Sequence, residues 1–193
     1  MKNDIVKLGV VLMLFCAIAA FALAGTNLIT APKILAQRAN ANVAAQQAVL
    51  PAAINFNDLG SQLAAVQADY PIIQSVLQGL DAAGGSVGMV FRVAPKGYGG
   101  PITIIVGVSL DGKISGIKVL SHTETPGLGA NAQKESFTSQ YTGKSADVPL
   151  SVVKGSPVNE NEIQALTAAT ISSRAVTNGV NQALQFFTAF QGK

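Results

Sequence analysis

Two stretches of this chain concentrate side chains that can bind or bear a ligand. The first, Leu166-Thr167-Ala168-Ala169-Thr170-Ile171-Ser172-Ser173-Arg174, gathers four hydroxyls where a helical apolar spacing begins. Hydroxyls there can cap the free backbone N–H groups of a helix start. The same place presents N–H donors and about half a positive charge to an anion, and a nearby arginine suits a phosphoryl group. Capping and anion binding both stay open on these residues.

The second stretch is Ser121-His122-Thr123-Glu124-Thr125-Pro126-Gly127-Leu128-Gly129. Pro126-Gly127 fits the centre of a type II turn, and Gly129 allows a planar ligand to come close. Leu128 offers apolar contact, and Glu124 and Thr125 offer hydrogen bonds beside it, a mixture that suits a heteroaromatic ring with polar edges. A plain surface turn uses the same residues.

Other chemistries find few residues to work with. The one cysteine, Cys16, lies in an apolar run, which leaves no disulfide framework, Cys-based zinc site or Cys-ligated iron–sulfur cluster. The one histidine, His122, would need unidentified partners for a Ser-His-Asp arrangement. Neither a G-x-x-x-x-G-K-[ST] phosphate loop nor a G-x-G-x-x-G fingerprint occurs. The formal charge is only +3 and the basic residues are scattered, unlike the basic stripe of a nucleic-acid binder.

The elements that must position the two stretches are those of an α+β domain. Ser86 to Val93, Ile102 to Leu110 and Lys113 to Ser121 read as strands, with Asp111-Gly112 as a hairpin turn between the last two. Gly97-Tyr98-Gly99-Gly100-Pro101 links the first pair through a tight turn. Asn57 to Leu80 reads as two short helical pieces separated at Pro71, and Asn131 to Tyr141 as a helix carrying Phe137 and Tyr141 on one side. Leu150 to Val153 is a further short strand. Val176, Val180, Ala183, Leu184 and Phe187 give the segment from Ile171 to Phe190 an apolar face for packing on the sheet.

The start of the chain has a different character. From Leu8 to Leu28 it runs for 21 residues without a charge, roughly 32 Å as a helix against a hydrocarbon core of ~30 Å. This predicts a retained anchor over residues 1–30, a helical stalk over 31–50 that Pro51 ends, and a domain over 51–193. The rival is a secretory signal cut after Ala24, with Lys2 and Lys7 as its basic start. Lys33 and Arg38 balance those lysines, so charge alone does not orient the span.

Taken together, the span, Gly97 to Ile102, the hairpin, Glu124 to Gly129 and the Thr170 segment resemble the FMN-binding domain family, and within it the G subunits of Rnf-type electron-transport complexes. The resemblance runs through almost the whole chain. In that family a Ser/Thr-Gly-Ala-Thr motif bears FMN through a phosphoester on its last threonine, attached by a separate flavin transferase. The motif maps onto Thr167-Ala168-Ala169-Thr170, so the resemblance implies covalent FMN on Thr170. Ala168, Ala169, Ile171, Ser172 and Arg174 would surround the attachment, and Glu124, Thr125, Leu128 and Gly129 would lie against the ring. Ala168 stands where relatives have glycine, and Gln164 where they commonly have aspartate; if that glycine needs φ > 0, alanine is strained there.

The resemblance further implies a single-pass subunit of the cell (inner) membrane with its FMN domain on the periplasmic or extracellular side. Its expected role is that of an electron carrier in an ion-translocating ferredoxin:NAD oxidoreductase, with the other Rnf-type subunits as partners and Na⁺ or H⁺ as the coupling ion. One uncharged span provides no ion pathway of its own. Alternatives are the corresponding C subunit of the Na⁺-translocating NADH:quinone reductase, and a structural subunit without flavin.

Overall fold

The computed structural model describes residues 2–191, with no side-chain description for residues 2–5, 35, 36, 38 and 39. Of the residues named above, the side chains of Lys2 and Arg38 lie outside those described. The chain divides into two compact units, Met1–Val43 and Ala44–Lys193.

The first unit is the greater part of one helix, α1, Lys2–Val49. Within it Val6–Ile34 is long and apolar enough to cross a bilayer, with mean hydropathy 2.6 and none of its most apolar window buried. The hydroxyls of Thr26 and Thr30 donate to the carbonyls of Ala22 and Thr26, at 2.8 and 2.9 Å, so these polar groups are satisfied within the helix.

The second unit takes in the end of α1 from Ala44 to Val49 and everything after it. Its sheet contains β1 (Asn55–Asp58), β2 (Ile73–Leu80), β3 (Ser86–Val93), β4 (Thr103–Ser109) and β5 (Ile114–Ser121), with α2 (Gly60–Val66) between β1 and β2. The five strands lie in sequence order, and each pairs antiparallel with the next. The fold is therefore α+β with a mainly antiparallel sheet, and the hairpin turns at Gly112 with φ 75°. After β5 come a 3-10 segment (Gly129–Gln133), a single α turn α3 (Glu135–Thr138), a second 3-10 segment (Ser139–Tyr141) and two short parallel strands, β6 (Ser151–Val153) and β7 (Glu162–Gln164). The long helix α4, Thr170–Gln191, follows.

Alternation along the strands divides the apolar residues between two faces. Phe91 and Val93 of β3, with Ile104 and Val106 of β4, pack with Val176, Val180, Ala183, Leu184 and Phe187 of α4 in the main core. The intervening Val90 and Ile105 face the other way and pack with Ala45, Val49, Leu50 and Ala53.

Two local expectations need correction. Ile73–Leu80 is a strand rather than a helix. Its ladder with β3 is irregular between Ile73 and Ser75, which brings Ile73 and Val76 into the main core together, while Gly79 is buried on the other face beside Leu50 and Ala53; the resulting spacing of three imitates a helix. Asn131 to Tyr141 is not one helix, because Lys134 is extended at φ −74°, ψ 144°. Phe137 and Tyr141 nonetheless meet edge to face, with centroids 5.6 Å apart. The partner of the strand after Leu150 is Glu162–Gln164, whose residues carry no strand signal of their own.

Candidate functional site

Three segments remote in sequence converge at the N-terminus of α4. They are the link between β3 and β4, the loop leaving β5, and the turn ahead of α4. Together they line a cleft of about 520 Å³, within the range of roughly 300–1,000 Å³ common for small-molecule sites.

The turn ahead of α4 is built from Leu166 to Ala169. The Ala169 N–H donates to Leu166 O at 3.0 Å, and Ala168 takes φ 58°, the only positive φ at a non-glycine residue among the described residues. The turn is fastened from within the helix. The Ser173 hydroxyl accepts from the Leu166 N–H at 2.9 Å and donates to Ala169 O at 3.0 Å. Intrahelical bonding begins with the Ser173 N–H on Ala169 O at 3.0 Å, so the N–H groups of Thr170, Ile171 and Ser172 have no acceptor in the helix itself.

Across the cleft, the loop after β5 closes its own turn. The Leu128 N–H donates to Thr125 O at 3.2 Å with Gly127 at φ 78°, which agrees with the type II geometry expected of Pro126-Gly127. Glu124 points inward and is only 5% exposed. One carboxylate oxygen, Oε1, accepts from the Gly99 N–H at 2.8 Å, while Oε2 accepts a short bond from the Ser172 hydroxyl. A Cβ on Gly129 would collide with that oxygen and with Ser172 Oγ. Gly129 therefore makes room for the Glu124–Ser172 bond, a different reason for glycine than approach of a ligand. His122 accepts the Glu124 N–H on Nδ1 at 3.3 Å and serves the turn.

The cleft is lined by Glu124, Thr125, Leu128 and Gly129 on one side and by Ala168, Ala169, Thr170, Ile171 and Ser172 on the other. Arg174, singled out from the sequence, is exposed and lies outside this lining. Tyr98 lines the cleft as well. From the sequence its segment is a tight turn and one of the stretches that carry the family resemblance, with no role given to Tyr98 itself; the available signal is a lone aromatic among glycines.

This arrangement fits a phosphorylated planar group. Of the four hydroxyls around the helix start, Ser172 and Ser173 are committed to protein partners, Thr167 is exposed away from the cleft, and half-buried Thr170 lines it. Free N–H groups lie beside Thr170 for an anion. Leu128 and Ile171 remain 41% and 57% exposed, leaving apolar surface on opposite sides of the cleft.

The family model described as FMN-binding domain matches residues 97–185, which take in all three walls of this cleft. The model described as the RnfG N-terminal region matches residues 1–49. The chain belongs to the RnfG family, the G subunits of Rnf-type complexes. It is 39% identical over 188 residues to the G subunit of the Na⁺-translocating ferredoxin:NAD⁺ oxidoreductase complex of Acetobacterium woodii, covering 94% of this chain and 90% of that one. It is 31% identical over 193 residues to the G subunit of the ion-translocating oxidoreductase complex of Methanosarcina acetivorans, covering 99% and 98%. With the proton-translocating counterpart of Clostridium ljungdahlii it shares 49% identity over 107 residues, 55% of this chain and 57% of that one. The crystal structure of Shewanella oneidensis NqrC shares the fold, with TM-score 0.54 at 24% identity over 62% of this chain and 61% of that one.

Proposed function

We propose that this chain carries FMN as a phosphoester of Thr170 and serves as an electron-carrier subunit of a membrane complex that couples electron transfer between ferredoxin and NAD to translocation of Na⁺ or H⁺. The observation that carries the reading is the division of labour among the hydroxyls. Ser172 and Ser173 hold the site together, and Thr170 alone of the four lines the cleft with its hydroxyl uncommitted. Relatives named as G subunits of Na⁺- and proton-translocating ferredoxin:NAD⁺ oxidoreductase complexes support the assembly and leave the coupling ion to be measured.

Each residue has a task in this reading. The N–H groups of Thr170, Ile171 and Ser172 hold the phosphate, together with the helix dipole. Thr125, Leu128, Gly129 and Ile171 border the ring, whose own chemistry is one- and two-electron exchange. Ala168 and Ala169 shape the turn that presents Thr170. A threonine hydroxyl is a weak nucleophile without a base, and the cleft's carboxylate is held by Ser172 and Gly99, so a flavin transferase forms the bond. The span anchors the domain, which we place on the periplasmic or extracellular side.

The test is the activity of the intact complex in membranes. Thr170→Ala should reduce ferredoxin-dependent NAD reduction to background while the subunit stays in the membrane, and Thr170→Ser should retain part of it. Full activity in Thr170→Ala would contradict the proposal.

A further inference from the structure

The aromatic side chain in the cleft has no role in the reading above. Tyr98 sits in a loop of three glycines, lines the cleft with Leu128 and Ile171, and is 72% exposed. An exposed aromatic on a glycine-rich loop would ordinarily swing freely, yet this loop is pinned on both sides of it. The Gly97 N–H donates to Gly100 O at 2.7 Å. The Gly99 N–H donates to the buried Glu124 carboxylate at 2.8 Å, and the Thr123 hydroxyl donates to Gly99 O at 3.1 Å.

The glycines are what let the loop lie so close. A Cβ on Gly97 would meet Glu124 Oε1 and Ile102, one on Gly99 would strike the Thr123 carbonyl, and one on Gly100 would strike the Thr123 hydroxyl. The backbone on either side of Tyr98 is thus seated against Thr123 and Glu124. Glu124 also takes the Ser172 hydroxyl at the start of α4. One buried carboxylate therefore ties the loop bearing Tyr98 to the turn of helix bearing the proposed attachment threonine.

We infer that Tyr98 is an aromatic wall of the flavin cleft, and that Glu124 is the positioning residue that sets this wall against Thr170. This rests on the proposal that FMN is attached there. A phenol ring beside a planar heteroaromatic gains from offset or edge-on packing, and it uses the exposed face that the free loop leaves to water. Glu124 then acts through Tyr98 and Ser172 rather than by touching the ring.

The chain is well suited to a spectroscopic test, because it has no tryptophan and only three tyrosines. Tyr141 is fully buried and bonded to Thr177, and Tyr70 packs on Phe186. A phenol next to an excited flavin quenches its emission by giving it an electron, which returns when the pair relaxes; phenylalanine quenches far less. The full-length subunit, co-produced with its flavin transferase and purified in detergent, is compared native and denatured at equal covalent flavin by intact mass. Native emission should rise severalfold in Tyr98→Phe and stay at the wild-type level in Tyr70→Phe. Glu124→Ala should raise it as well, and Glu124→Gln, which still accepts from Gly99 and bonds Ser172, should restore most of the quenching. Flavin-loaded Tyr98→Phe that emits like wild type overturns the wall, and loaded Glu124→Ala that emits like wild type overturns the positioning role. Wild-type protein without covalent flavin overturns the attachment and the wall that depends on it.

Discussion

Ala168 is the residue at which this chain departs most consequentially from its family motif. Its φ of 58° lies in the left-handed region, which costs an L-residue other than glycine roughly 1–2 kcal/mol. The turn keeps that conformation because Ser173 clamps Leu166 and Ala169 from the helix side. Ala168→Gly should therefore stabilise the domain by about 1 kcal/mol, less than the full strain because glycine gains freedom in the unfolded chain. That corresponds to a rise of roughly 2–4 °C in Tm at this size. An unchanged or lower Tm in thermal unfolding would show that the strain is relieved elsewhere. The conditional expectation at Ala168 was legible because the motif marks a glycine position. The commitments of Ser172 and Ser173 were not, since four neighbouring hydroxyls look alike until the chain folds around them.

Among the elements, the seam between the sheet and the segment from Ala45 to Ala53 depends on glycines. Gly107 of β4 and Gly116 of β5 are direct neighbours in the ladder, and Val49 lies over both. A Cβ on Gly107 would run into the Val49 carbonyl, which also accepts the Ser115 hydroxyl. On Gly116 the nearest atom, Val49 Cα, would be 3.4 Å away, an ordinary contact. Gly107→Ala should therefore destabilise the domain by roughly 1–3 kcal/mol through overpacking, while Gly116→Ala should change stability much less. Equal effects in denaturant unfolding would contradict the seam. The strands β3, β4 and β5 were legible as β-branched apolar runs with Asp111-Gly112 as a turn signal, and periodicity found α4. It misread β2, where two register shifts disturb the period of two, and it missed the pairing of β6 with β7, whose three-residue strands are too short to show a period.

At the scale of the whole molecule, the apolar span and the FMN-binding domain divide anchoring from chemistry. The span Val6–Ile34 holds the chain to a bilayer, and the cleft with Thr170 belongs to the unit that begins at Ala44. The span was legible from an uncharged run and two walls of the cleft from their residue types, but that the walls meet was legible only through the family resemblance, because they lie far apart in sequence. Losing the Thr170 hydroxyl at the first turn of α4 should cost at most about 1 kcal/mol, against a domain stability of roughly 5–15 kcal/mol, so the variant should still fold. The measurement that bears most directly on the account is the mass of the peptide containing Thr170, from the full chain co-produced with its flavin transferase. The account predicts a mass increase equal to FMN less one water on Thr170 in the wild type, its absence in Thr170→Ala, and its persistence in Thr167→Ala and Ser172→Ala. Flavin persisting on the Thr170→Ala chain, or an unmodified Thr170 in the wild type, would contradict it.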